Sequence, residues 1–280
     1  FADVMMRKGS YPAQISYPHT LGFEVSGIVT AHGQGISEPA LGTPVVALLS
    51  HGGYAEYVTA PAASVTPIPA GLDLAKATAA LVQGLTAYGL IEIADVQADQ
   101  AVLVQAAAGG VGTLAVQLAK QERASPVIGL ASQGKLDLIR SLGADAALDY
   151  TQPDWTDRVL EANGGQRVDL VLEAVGGATG KKSLELVNQG GLVMIYGMAS
   201  GEPFELNTLD LIMRGVTITP YSLSLGSNSD YVRRVLPKLL ALLAKGAITT
   251  ELQVFGLDQA AEAHAALENR QTRGKVVLGM

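Results

Sequence analysis

The chain has 280 residues, 48% hydrophobic and 16% charged, with a formal net charge of −7 and no cysteine. That length asks for one large or two moderate domains, and the composition supplies ample material for a core. The missing cysteine removes disulfides, a thiolate nucleophile and Cys-ligated zinc, and the acidic balance without a basic run argues against a general nucleic-acid surface. Up to about residue 80 the chain is rich in Gly and Pro, and residues 22–29, 44–49 and 54–60 read as short strands. Residues 61–71 read as connection, and the first helical period falls at 73–90.

The pattern then changes to regular alternation. Apolar runs at 101–105, 126–131, 146–149, 168–173, 191–196 and 215–220 read as strands, separated by helical patterns at 111–121, 134–142, 155–162, 180–188 and 208–214. Short connections between alternating elements imply parallel strands joined by right-handed crossovers, hence an α/β fold with a Rossmann doubly wound parallel sheet. Beyond about residue 231 come a helix at 232–245, a strand at 252–255, a helix at 257–267 and a strand at 275–278. These cannot all extend the nucleotide sheet, so part of them is expected to return to the first, β-rich domain. The expected domains are 1–82 with 222–280, and 83–221 between them. No apolar run is expected to approach the twenty or so residues that span a membrane. There is no signal-peptide pattern, which makes a cytoplasmic enzyme the default, and the start at Phe1 suggests that an N-terminal portion is missing.

The stretch from Ala101 to Gly112 organises the rest. Ala107, Gly109 and Gly112 stand at the one-three-six spacing of a dinucleotide fingerprint, between a strand and a helix, with Ala in the first place. Gly109 lets the backbone approach a pyrophosphate, Gly112 lets helix and strand pack closely, and the helix start offers N–H groups to phosphate. An ordinary tight strand-to-helix turn would use the same residues. About twenty residues on, where NAD enzymes place an acid on the ribose, the second strand ends in Ala131-Ser132 with no carboxylate. Ser132 leaves room for a 2′-phosphate and Lys135 adds positive charge, which favours NADPH, although a lysine there also reads as a solvated first-turn residue.

At this point the chain resembles the zinc-independent, zeta-crystallin-like quinone oxidoreductases of the medium-chain dehydrogenase/reductase superfamily. The matching stretches run in family order along nearly the whole chain: FADVMMRKGSYP from Phe1, LGFEVSG from Leu21, GGYAEYV from Gly52, QGLTAY from Gln83, AAAGGVG from Ala106, GADAALDY from Gly143, DLVLEAVGG from Asp169, YGMASG from Tyr196 and RQTRGKVV from Arg270. The resemblance implies a GroES-like catalytic domain around the nucleotide domain, NADPH as cofactor and a homodimer paired through the edge strand at 215–220. It implies that Ser132, Lys135, Tyr150 and Arg270 hold the 2′-phosphate and that Gly109, Gly110, Val111 and Gly112 cradle the pyrophosphate. Gln83, Thr86, Gly176, Met198, Ala199 and Ser200 would surround the nicotinamide and its ribose. Met5 and Tyr11 would line the substrate pocket. Arg270 otherwise reads as a surface arginine and Thr86 as a helix residue.

Two departures from the family stand out. Its first strands, and the Asn that commonly precedes the position of Phe1, are not in this chain, so the catalytic domain is expected to be incomplete. Several quinone-reducing relatives carry Tyr where this chain has Met5, which makes the pocket more apolar. Zinc-dependent relatives polarise a carbonyl with Cys and His ligands. Here His19, His32, His51 and His264 are scattered without ligand spacing, and Glu24, matching a Glu of the zinc-site motif, reads as a structural hydrogen-bonding residue. Without a Lewis acid, a conjugated acceptor is the substrate of choice, since a quinone or enone takes hydride with less help. The resemblance makes Tyr11, by its family position, the candidate catalytic hydroxyl, and an aromatic packing at a Tyr-Pro turn is the alternative. The expected function is therefore NADPH-dependent quinone reduction. The alternatives are an enone or enoyl double-bond reductase, or an NADPH-binding structural or RNA-binding crystallin-like protein.

Overall fold

The computed structural model describes residues 1–11, 14–223 and 230–280, so Pro12 of the first matching stretch lies outside the described residues. The chain forms two units, one of Phe1–Leu85 with Leu223–Met280 and one of Thr86–Ser222.

In the first unit a short helix α1 (Ala2–Arg7) precedes an antiparallel sheet of β1 (Glu24–Ile28), β2 (Pro44–Leu48) and β3 (Val65–Pro67), in the order β1-β2-β3. Helix α1 has no counterpart in the sequence reading, since six residues give too short a window for a helical period. Residues 54–60, read as a strand, form none. The N–H groups of Gly52, Gly53 and Tyr54 are spent on the carbonyls of Thr20, Gly22 and Leu21, and residues 56–59 are exposed. The third strand instead falls at β3, inside the stretch read as connection. Helix α2 (Leu74–Ala77) starts at Asp73, whose side chain accepts from the Lys76 N–H, and a 3-10 turn leads into α3 (Val82–Ile93). The combined helical run Leu74–Ile93 is long and apolar enough by composition to cross a membrane, which corrects the expectation that none is. Of that window 61% is buried inside the molecule, so core packing accounts for its composition.

The second unit carries β4 (Val102–Val104), α4 (Gly110–Gln121), β5 (Val127–Ala131), α5 (Leu136–Ser141), β6 (Ala146–Asp149), α6 (Trp155–Ala162), β7 (Val168–Glu173), α7 (Gly177–Glu185), β8 (Val187–Ile195), α8 (Thr208–Arg214) and β9 (Thr217–Pro220). All six strands run parallel, in the order β6-β5-β4-β7-β8-β9. The order reverses between β4 and β7, which places the ligand crevice of such a sheet outside their carboxyl ends. The central strands β4, β5 and β7 are largely apolar runs and almost wholly buried, as strands covered on both faces are. Leu103, Ile128, Leu130, Val171 and Val193 pack with Trp155 and Val159, which lie one turn apart on α6. Strand β8 begins at Val187, four residues earlier than the apolar pattern suggests. Its polar Asn188-Gln189-Gly190 stretch sits at an irregularity of the β7–β8 register that hides it from the pattern.

The chain then returns to the first unit with α9 (Asp230–Ala244), β10 (Leu252–Gly256), α10 (Ala260–Glu268) and β11 (Lys275–Gly279). Strands β10 and β11 pair parallel, with α10 as the crossover. Val235, Leu236, Leu239 and Leu240 of α9 are buried.

Candidate functional site

The turn between β4 and α4 is shaped by what it cannot accommodate. Ala106 adopts a left-handed backbone, φ 46°, and reverses the chain after the strand. A Cβ on Gly112 would run into the Ala106 oxygen and come within 2.6 Å of Ala107 Cα, so α4 approaches the turn as closely as backbone can. Gly109 caps α4 in an extended conformation, and its N–H is held by Ala106 O at 2.8 Å. The first N–H groups of the helix have no acceptor within it, so the turn presents donors and a positive dipole end at the sheet's switch point.

Neighbouring strand ends complete this crevice. Ser132 caps the 3-10 turn after β5, and its carbonyl accepts the Lys135 N–H at 2.9 Å. The Tyr150 N–H, after β6, donates to Ala131 O, so Ser132, Lys135 and Tyr150 converge on the ends of β5 and β6. Asp149 ends β6 at that corner and is buried. Burial alone would raise its carboxyl, but hydrogen bonds from Thr151, Gln152 and the Gln133 backbone outweigh it and hold it below the usual range. On the other side, the loops after β7 and β8 interlock: Ala199 and Ser200 donate to Ala174 O and Val175 O. Gly176 adopts φ 73°, and a Cβ there would lie 3.2 Å from both Met198 Cγ and Ser200 Oγ. Thr86 is buried at the start of this unit, within α3.

Beneath the crevice lies a polar layer that the sequence reading missed. Gln105 is fully buried, donates to Ser183 Oγ at 2.5 Å, and accepts from the Ala174 and Val175 N–H groups. Glu173 is 0% exposed. Its Oε1 accepts from Val175 and Gly176, both at 2.8 Å, and its Oε2 has no partner among the described residues. Burial pushes its carboxyl up, against the pull of those two N–H groups, and burial with the nearby Glu173 raises the Tyr196 phenol. A polar residue closing each of two buried apolar runs was the signal available for Gln105 and Glu173.

The other expected residues belong to the first unit. Met5 is half-buried on α1, Tyr11 half-buried after it, and Arg270 follows α10 with φ 54°. Gln83 is the second residue of α3, and its Oε1 accepts from Lys275 Nζ at 2.6 Å. Lys275 is buried in β11 and also pairs with Glu24, whose other oxygen accepts the Val82 N–H at 2.9 Å. Tyr54 and His264 form a second pair, hydroxyl to Nε2 at 3.0 Å, with the His264 ring 4% exposed. Burial lowers the imidazole, helped by Arg7, while burial and the charges of Asp3 and Glu24 raise the Tyr54 phenol. His19 and His51 do meet, with ring centroids 5.2 Å apart, although the sequence reads the histidines as scattered.

Residues 142–278 match the zinc-binding dehydrogenase family and residues 1–70 the alcohol dehydrogenase GroES-like domain. A probable quinone oxidoreductase of Schizosaccharomyces pombe is 33% identical over 285 residues, spanning 99% of this chain and 84% of the relative. The chain belongs to the medium-chain dehydrogenase/reductase superfamily of oxidoreductases. Within it, the human synaptic vesicle membrane protein VAT-1 homolog is 31% identical over 297 residues, covering 99% of this chain and 75% of that protein. The solved structure of Escherichia coli quinone oxidoreductase complexed with NADPH is 31% identical and superposes with a TM-score of 0.90, covering 99% of this chain and 86% of that one.

The zinc that the family name implies does not fit this donor set. The chain has no cysteine. Glu24 is committed to Lys275 and Val82, and no three His, Asp or Glu residues cluster as ligands among the described residues. A dinucleotide does fit, because the Gly112 cradle is closed to any side chain and opens on helix N–H groups.

Proposed function

We propose that the chain is an NADPH-dependent quinone oxidoreductase that works without zinc. The observation that carries this reading is the turn from Ala106 to Gly112, built at the switch point of the sheet and followed by a second strand end without an acid. The similarity to named quinone oxidoreductases, one of them solved with NADPH, supports it. In this reading Gly109, Gly110, Val111 and Gly112 hold the pyrophosphate, and Ser132, Lys135, Tyr150 and Arg270 the 2′-phosphate. Gln83, Thr86, Gly176, Met198, Ala199 and Ser200 position the nicotinamide end. Bound NADPH supplies the hydride. The residues of the chain orient the acceptor and exclude water: Met5 gives the pocket an apolar wall, and the Tyr11 hydroxyl holds a proton for the reduced acceptor.

Met5 favours a second reading, reduction of an enone double bond, because it removes a hydroxyl that a quinone oxygen could use. The reading also includes a homodimer. Among the described residues strand β9 pairs only with β8, at the end of the sheet, and the preceding α8 exposes Leu209, Ile212 and Met213. A monomer at micromolar concentration in light scattering removes that part.

The test is NADPH oxidation followed by absorbance, with phenanthrenequinone, benzoquinone and a medium-chain enone in parallel and NADH as control. Turnover of the quinones with NADPH preferred is expected. Turnover of the enone alone moves the chain to the double-bond reductases, and NADPH binding without turnover of any acceptor refutes both.

A further inference from the structure

The contact between Lys275 and Gln83 has a polarity. An ammonium group has three donors and no acceptor. The Gln83 atom that meets Lys275 Nζ at 2.6 Å must therefore be the carbonyl oxygen, and the amide cannot be turned round without setting donor against donor. Glu24 holds the arrangement from both sides, pairing with Lys275 through Oε1 and accepting the Val82 N–H through Oε2. Lys275 is 5% exposed, so little water competes for it. What remains of Gln83 is its Nε2 group, two donors on a half-buried side chain, with no acceptor among the described residues and not sealed from solvent.

We infer that Lys275 is a positioning residue that ties back the Gln83 carbonyl, so that Gln83 offers a bound ligand N–H donors alone, and that the ligand atom they take is a carbonyl oxygen. The inference rests on the proposed function, in which two molecules carry such an oxygen: the dinucleotide, on its carboxamide, and the quinone. A carboxamide can rotate to suit either polarity. A quinone oxygen can only accept, so the fixed amide selects for it.

Gln83→Glu separates this role from a structural one. The variant keeps an oxygen for Lys275, and so keeps the tie between β1, α3 and β11, but replaces the two donors with a second oxygen. Three quantities are read at about pH 8, where the new carboxyl is ionised: melting temperature, Kd for NADPH by fluorescence titration, and KM for benzoquinone. The variant is expected to stay folded and to weaken one ligand by about tenfold, the size of one lost hydrogen bond with its partner left unpaired. A rise in KM with Kd unchanged assigns the oxygen to the quinone, and a rise in Kd assigns it to the dinucleotide. Lys275→Arg keeps a donor for the Gln83 carbonyl, and the folded variant keeps both ligand constants near wild type. The double variant Lys275→Met with Glu24→Gln strands no charge, frees the amide to turn, and moves the same constant in the same direction. A folded Gln83→Glu or double variant that binds both ligands like the wild type overturns the inference and leaves the proposed function standing. A wild type that binds no dinucleotide overturns both.

Discussion

Gly112→Ala tests the turn at the head of α4 through volume alone. An ideal Cβ there runs into Ala106 O and stands 2.6 Å from Ala107 Cα and 2.9 Å from Ala106 C. All three are backbone atoms of the turn, so no rotamer change relieves the overlap and α4 must draw back from β4. Overpacking costs about 1–3 kcal/mol, and rigid neighbours put this site at the upper end, about 2–3 kcal/mol. At about 2–4 °C per kcal/mol for a chain of this size, the melting temperature falls by about 4–12 °C. Withdrawing the helix start also takes its N–H groups away from the phosphates, so NADPH affinity drops by at least about tenfold, one hydrogen bond's worth. Gly109→Ala is the control. Its Cβ meets only Ala106 O, at 3.2 Å, in a backbone conformation that alanine adopts freely. That variant loses less stability than Gly112→Ala but still loses binding, because the methyl stands where the backbone faces the pyrophosphate. Calorimetry and a fluorescence titration on both variants read the contrast. A Gly112→Ala protein that melts and binds like the wild type refutes the argument from close approach.

Strain and burial set three further outcomes. Ala106→Gly relieves a left-handed alanine, worth about 1–2 kcal/mol, against the extra chain entropy of glycine of about 0.5–1 kcal/mol; urea denaturation is expected to show a small gain, and a loss contradicts the strain. For Glu173 the folded carboxyl sits above its ordinary value of 4.5, so its contribution is fully present below that pH and is lost as pH rises through the folded value. Glu173→Gln cannot ionise and keeps an acceptor for Val175 and Gly176, so it gains more stability over wild type at neutral pH than in mild acid; an equal gain at both refutes the raised carboxyl. His264 lies below its ordinary 6.5, so its contribution is present above that pH and is lost as pH falls through the folded value. Thermal melts of His264→Gln are expected to show a flatter decline in mild acid than wild type, and parallel declines remove the assignment.

Burial decides which parts of this fold can be read from the sequence. Residues 146–149, 155–162, 168–173 and 208–214 fold with the bounds that their patterns suggest, because each is either a continuous apolar run between helices or a helix with a clear start. Asn207, which accepts from Leu209 and Asp210, supplies that start for α8. The β-rich region is harder, since its strands are short and half-exposed. Residues 54–60 have the composition of a strand, but Tyr54 pairs with His264 instead. The crevice was legible where spacing along the chain creates it, as at Gly109 and Gly112. Lys275 was not, because its partners stand 192 and 251 positions away and nothing local distinguishes it from any other lysine that opens a strand. Glu173 and Gln105 fall between these cases: each ends an apolar run in the sequence, but only the fold shows that they share the Val175 N–H.

The pairing of Glu24 with Lys275 also sets an order in time. With 251 positions between them and synthesis at about 5–20 residues per second, roughly 10–50 s separate the emergence of the acid from that of its counter-charge. Thr86–Ser222 is made wholly within that interval and holds all six strands of its own sheet. The second unit is therefore free to fold while the first half of the other still has a solvated carboxylate where its ion pair will be, and ribosomes stalled before residue 275 would carry one finished unit and one that protease can still cut.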